Sequence, residues 1–177
     1  MNPNIPFYPW YAVVSGDNLE QGDILVDCPV FSPPELTDPY GPPEVVRTRR
    51  EVIVMTQSCD LQRDTSSEVL LCGLYRRSVI PKEHKLAKLE NLENARKGNM
   101  PAFHLLAECD LTGFQRELTV VDFRRVYTLP FKFVLQQANK LHLRLLPPYR
   151  EHLSQAFARY FMRVGLPIDM PPIRKEA

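Results

Sequence analysis

The sequence predicts a mainly β, α+β fold: a small β-barrel with an inserted helix and a C-terminal amphipathic helix. Three observations carry this expectation. Two apolar segments of strand length, 22–30 and 51–56, lie close together, each with polar groups gathered at its ends. Further β-branched or alternating runs recur at 68–75, 103–108, 118–127 and 141–146, as half-buried strands require. Helical periodicity is confined to a short stretch near residue 90 and a longer one near the C-terminus. A chain of 177 residues with 44% hydrophobic content fits one domain, 1–177, with a real core.

Residues 1–20 form an arm carrying Phe7, Tyr8, Trp10 and Tyr11 among prolines. So many rings favour packing onto the body, because burial of aromatic surface is strongly favourable. Residues 22–30 are the first strand, and the Pro-rich stretch 31–48, with Asp38 and Gly41, is a long loop. The second strand follows at 51–56 with Val52, Ile53, Val54 and Met55, then a polar turn at 60–67. The third strand, 68–75, ends in Arg76-Arg77. Residues 76–115 read as an insertion: Leu86, Leu89 and Leu92 recur at helical spacing, and Gly98 is a stop signal. Strands at 103–108 and 118–127 flank a turn at Gly113. In 141–146, alternation of Leu with His and Arg places His142 toward solvent. The barrel is drawn from 21–75 and 116–146.

The last helix, 149–165, is the clearest element. Leu153, Ala156, Phe157, Tyr160, Phe161 and Val164 make one stripe, and His152, Gln155, Arg159 and Arg163 lie opposite. Pro147 and Pro148 suit its start, and Gly165 with Pro167 its stop. The 17 prolines cluster outside these elements, where a missing N–H and a fixed φ do least harm.

Composition narrows the function classes. With 22 basic and 21 acidic residues, net charge is +1, so no global field attracts nucleic acid and a local patch must do so. Cys28, Cys59, Cys72 and Cys109 include no Cys-x-x-Cys pair, and His84, His104, His142 and His152 are widely spaced. Neither a metal site nor a cofactor is expected. No leader-like or membrane-length apolar stretch occurs, which points to a cytoplasmic protein with reduced thiols and no membrane partner.

The order Gly22-Asp23-Ile24, long loop, basic residue, Val52-Ile53-Val54-Met55, polar turn, apolar strand, Val121-Asp122-x-Arg124 strand and C-terminal helix resembles the PemK/MazF toxin family. The matching stretches are 21–28, 50–75, 119–127 and 149–166. The resemblance implies an SH3-like β-barrel, a homodimer, a bacterial toxin–antitoxin setting and metal-free cleavage of single-stranded RNA. The family's Arg-Pro pair at the head of the second strand corresponds to Arg50-Glu51 here, arginine kept and proline not. Where the family carries Thr, Ser or His near the end of the third strand, this chain has Cys72-Gly73-Leu74-Tyr75.

The residues offer three candidate groups. Arg47, Arg49 and Arg50 are the densest basic cluster; Arg50 suits a catalytic cation, because a guanidinium fork binds phosphate bidentately. The same arginines also fit a solvated loop paired to Glu44 or Glu51. Cys59 and Asp60 follow the second strand, as nucleophile and as base; their alternative role is turn chemistry. Arg124 and Arg125, with Phe123, Tyr127 and Tyr149 available for base stacking, fit nucleic-acid binding by charge and stacking. Two function classes stand: a divergent nucleic-acid-acting barrel, or a non-catalytic module that binds a protein partner through the N-terminal arm or the last helix.

Overall fold

The computed structural model describes residues 9–16, 18–34, 41, 45–62 and 67–162. Seven strands form one antiparallel sheet: β1 (Tyr11–Val14), β2 (Asp23–Ser32), β3 (Val46–Val54), β4 (Glu68–Arg76), β5 (Phe103–Leu106), β6 (Thr119–Pro130) and β7 (His142–Leu145), in the order β1-β7-β2-β3-β4-β6-β5. Four helices accompany it: α1 (Ser58–Gln62), α2 (Leu89–Arg96), α3 (Phe131–Ala138) and α4 (Tyr149–Phe161).

The fold is mainly β with helices, but the sheet does not close into a barrel among the described residues. It curls until its edges approach. Tyr11 Oη, on edge strand β1, donates to the Ala107 carbonyl just after edge strand β5, at 2.7 Å. Both edge strands are only four residues long. After Leu106 the chain turns into a separate bridge between Cys109 and Arg116. Too little facing backbone remains for a ladder, so a phenol spans the gap.

Strand alternation gives the sheet two faces. The inner face carries Ile24, Ile53, Cys72, Leu74, Leu106, Val121, Phe123, Leu143 and Leu145. Against it packs α4, with fully buried Leu153 and partly buried Ala156, Phe157 and Tyr160. Burying a Leu or Phe side chain is worth about 1.5–3 kcal/mol, so this stripe accounts for the docking of α4. Phe161, expected in the same stripe, is exposed, and Val164, Arg163 and the Gly165 stop lie outside the described residues. The arm does pack onto the body where it is described: Tyr11 is buried, and Trp10 stacks on Tyr149 with ring centroids 3.7 Å apart.

The outer face is covered in two places. Val134 and Ala138 of α3 sit among Val52, Val54, Val69, Leu71 and Leu129. Leu86, Leu92 and Ala95 cover Phe103 and Val120 at the other end.

Several expectations change. β3 begins at Val46, so Arg47, Arg49 and Arg50 stand in a strand rather than a loop. Five ladder partners on β2, Cys28 to Ser32, extend it over Val46 to Arg50. β5 belongs to the sheet, so 76–115 is not wholly an insertion. Leu86 sits in a single turn at Lys85–Ala87, before α2 begins at Leu89; this break in phase leaves Leu89 exposed. The polar turn after β3 contains the short helix α1. His142 is buried and its neighbour Leu141 exposed, against expectation, while Leu143 and Leu145 are buried as alternation predicts. Its ring has charged partners inside, described below.

Candidate nucleic-acid interface

Between the two covers on the outer face lies a polar strip. Pairing of Val52 with Gly73 sets the register of β3 on β4. It brings Arg50 opposite Tyr75, with Cys28 opposite Arg50 on the other side. A bulge in the β4–β6 ladder pairs Cys72 with Val126 but Gly73 with Asp122. The extra residues of β6 include Arg124 and Arg125, and a bulge of this kind re-aims side chains. Gly73 makes room for one of them: a Cβ there would lie 3.1 Å from Arg125 Cβ.

Arg50, Tyr75 and Arg125 thus share one neighbourhood. Burial raises the Tyr75 pKa, while the charges of Arg125 and Arg50 pull it down and those of Tyr127 and Asp122 push it up; the net shift is upward. The phenol is therefore a proton-bearing donor near neutral pH. Among the described residues, neither Arg50 nor Arg125 makes an ion pair. Arg124 is held differently. Its Nε and Nη2 donate to the two Asp122 oxygens at 2.8 and 2.7 Å, and its guanidinium sits 4.6 Å from the centre of the Phe103 ring. A hollow of about 330 Å³ adjoins, lined by Tyr75, Phe103, Asp122, Arg124 and Arg125 among others.

The other predicted residues are dispersed. Arg47 and Arg49 alternate with Arg50 and so face the opposite way. Arg49 Nη1 pairs with Asp27 Oδ2 at 2.5 Å; Asp27 has φ 59° within the β2 bulge. Cys59 and Asp60 are exposed in α1, beyond the end of β3. Arg50 to Val54 alone spans roughly 13 Å of strand, and neither Cys59 nor Asp60 lines the hollow beside Arg125. The Cys59 thiol contacts Gln57 Oε1 at 3.7 Å and Asp60 Oδ1 at 3.8 Å. Cys28, Cys72 and Cys109 are buried, and burial, reinforced by Asp122, pushes the Cys72 pKa up to about 12.

Two charged networks, one on each face of the sheet, were not anticipated. Fully buried Asp23 receives Arg144 Nε at 2.5 Å and Nη2 at 3.0 Å, and Arg144 Nη1 reaches Glu20 at 2.7 Å. His142 Nε2 lies 3.4 Å from Asp23 Oδ2, while Nδ1 meets the Lys140 carbonyl at 2.8 Å. Burial opposes charge on His142, but pairing with Asp23 and the Lys140 bond outweigh it, and its pKa is raised. Glu51 receives Arg76 Nε and Nη2 at 3.0 and 2.6 Å and also pairs with buried Arg116. The signal in the sequence was an Asp or Glu set in an apolar strand, which demands a cation from a neighbour.

Fold and site together define only a class: an antiparallel α+β protein with a basic, aromatic-edged strip on one sheet face. No known family matches this chain, and no curated protein does. Among the described residues no helix is long and apolar enough to cross a membrane, and no cluster of three or more His, Cys, Asp or Glu side chains is placed to hold a metal ion.

Proposed function

We propose that the protein is a divergent PemK/MazF-like protein, its curled sheet an opened SH3-like barrel, and that it binds single-stranded RNA along the outer-face strip. The observation that carries this reading is the meeting of Arg50, Tyr75 and Arg125 between the covers of the outer face. Two guanidinium forks engage successive phosphates, and Tyr75 and Tyr127 offer hydrogen-bonding and stacking surfaces to unpaired bases. Tyr75 stands where the resemblance leads one to seek the partner of the arginine.

Binding is favoured over cleavage. Metal-free cleavage at the 2′-hydroxyl needs a base beside the phosphate-binding cation; Cys59 and Asp60 do not line the hollow beside that cluster, and of the groups that do, Asp122 is tied to Arg124 and His84 Nδ1 accepts the Leu86 N–H. Tyr75, with its pKa raised, is a donor rather than a base.

Fluorescence anisotropy with a labelled single-stranded RNA of about ten nucleotides tests this. Removing one charge-assisted contact costs about 1.5 kcal/mol, so Arg50→Ala and Arg125→Ala will each weaken binding about tenfold. Arg49→Ala, on the other face and tied to Asp27, will leave affinity within about twofold. Equal losses at all three positions would remove the assignment to this strip.

A further inference from the structure

A second hollow, of about 320 Å³, opens where β2 and β7 meet the 113–116 turn and the end of α3. Its volume is near the lower end for small-molecule sites. Its charged lining is entirely basic or basic-capable: Arg76, Arg116, Lys140 and His142. Ile24, Leu141, Leu143 and Phe114 supply apolar wall.

The acids nearby are already engaged. Arg76 and Arg116 share the Glu51 carboxylate, and the Glu117 charge also acts on Arg76. Glu117 accepts from the Ser78 backbone N–H at 3.1 Å and from its hydroxyl. Asp23, beside His142, is tied to Arg144. Lys140 adds an exposed cation at the rim. Arg116 is 4% exposed along its side chain, yet its Nε has no hydrogen-bond partner among the described residues; His142 Nε2, by contrast, faces Asp23 Oδ2 at 3.4 Å. A buried donor left unused is costly, and on a basic wall it marks a place where an acceptor is missing.

We propose that this hollow binds a small organic oxyanion, a phosphate or carboxylate head on a flat apolar body. The head sits among Arg76, Arg116 and Lys140; the body lies on Phe114, Leu141 and Leu143. The basic lining selects an anion, and the volume limits it to about the size of a mononucleotide. The site lies apart from the RNA strip and does not depend on it.

Thermal unfolding of the full chain with adenosine monophosphate, benzoate and adenosine tests the proposal. The expected result is a saturable rise in Tm with at least one of the two anions and none with uncharged adenosine. The rise persists in Arg50→Ala, which separates this site from the outer strip. Lys140→Glu, at the exposed rim, will weaken the effective anion at least tenfold; Gln137→Glu on α3 is the second variant should the first unfold. No rise with either anion, an equal rise with adenosine, or undiminished binding in the folded rim variant would overturn it.

Discussion

Asp23→Ala will destabilise the protein by about 3–5 kcal/mol, the cost of breaking a buried ion pair from one side. Asp23 is completely buried and faces Arg144 and His142. The variant leaves the guanidinium, itself mostly buried, with Glu20 as its remaining carboxylate. The Glu20 backbone N–H also loses its acceptor, the Asp23 carboxylate at 2.9 Å. Urea unfolding of wild type and variant, with unchanged m-value, measures the difference.

The same network sets a pH window. Burial alone would raise the Asp23 pKa, but pairing with His142 and Arg144 and the Glu20 N–H outweigh it and leave it lowered. A lowered carboxylate contributes fully above its unfolded value of roughly 3.9, and the contribution is lost as pH falls through the folded pKa. His142, raised, contributes fully below its unfolded value of roughly 6.5, and its share is lost as pH rises through the folded pKa. This network is therefore most stabilising between the two unfolded values. In Asp23→Ala both limbs of the profile flatten; a variant that kept the wild-type pH dependence would place its origin elsewhere.

Phe123→Ala will cost about 3–5 kcal/mol, as large-to-small changes at packed aromatic sites do. The Phe123 ring is 1% exposed and meets Phe157 at 5.3 Å and Tyr160 at 6.0 Å between centroids. It is the knob on which α4 seats. The variant will therefore lose amide protection first along α4, read by hydrogen exchange, while β3 and β4 keep theirs. Phe161→Ala, at a ring 60% exposed, will cost less than about 1 kcal/mol. Equal losses at 123 and 161 would contradict the stripe as described.

Most strands were legible because their apolar runs are strong: Val52 to Met55, Val69, Leu71, Cys72 and Leu74, and Val120 and Val121 of β6 are buried, while Val126 is exposed. The stripe of α4 was equally plain. Three features were not. Arg47 to Arg50 look like loop chemistry, yet ladder bonds to β2 hold them in a strand whose outer half is exposed. Phe131 to Ala138 form a helix directly after β6, and the run of apolar residues crossing that junction hides the change of period. His142 defied alternation because a buried carboxylate from β2 outweighs the preference of imidazole for water.

The candidate site was half legible. Charge singles out Arg50, Arg124 and Arg125 in the sequence, and Arg50 and Arg125 do meet around Tyr75. Their meeting depends on the bulge opposite Cys72 and Gly73 and on the absence of a Cβ at Gly73, which no local pattern reveals. Cys59 and Asp60 were chosen for reactive groups following a core strand, and α1 carries them beyond its end instead.

The salt dependence of RNA affinity tests the central claim most directly. Each phosphate contact on a single strand contributes about 0.7 to the slope of log K against log salt. If Arg50 and Arg125 are phosphate contacts, the double variant will bind more weakly with a slope shallower by about 1.4. A double variant with the wild-type slope, or a wild-type protein that binds single-stranded RNA no better at low salt than at high salt, would contradict it.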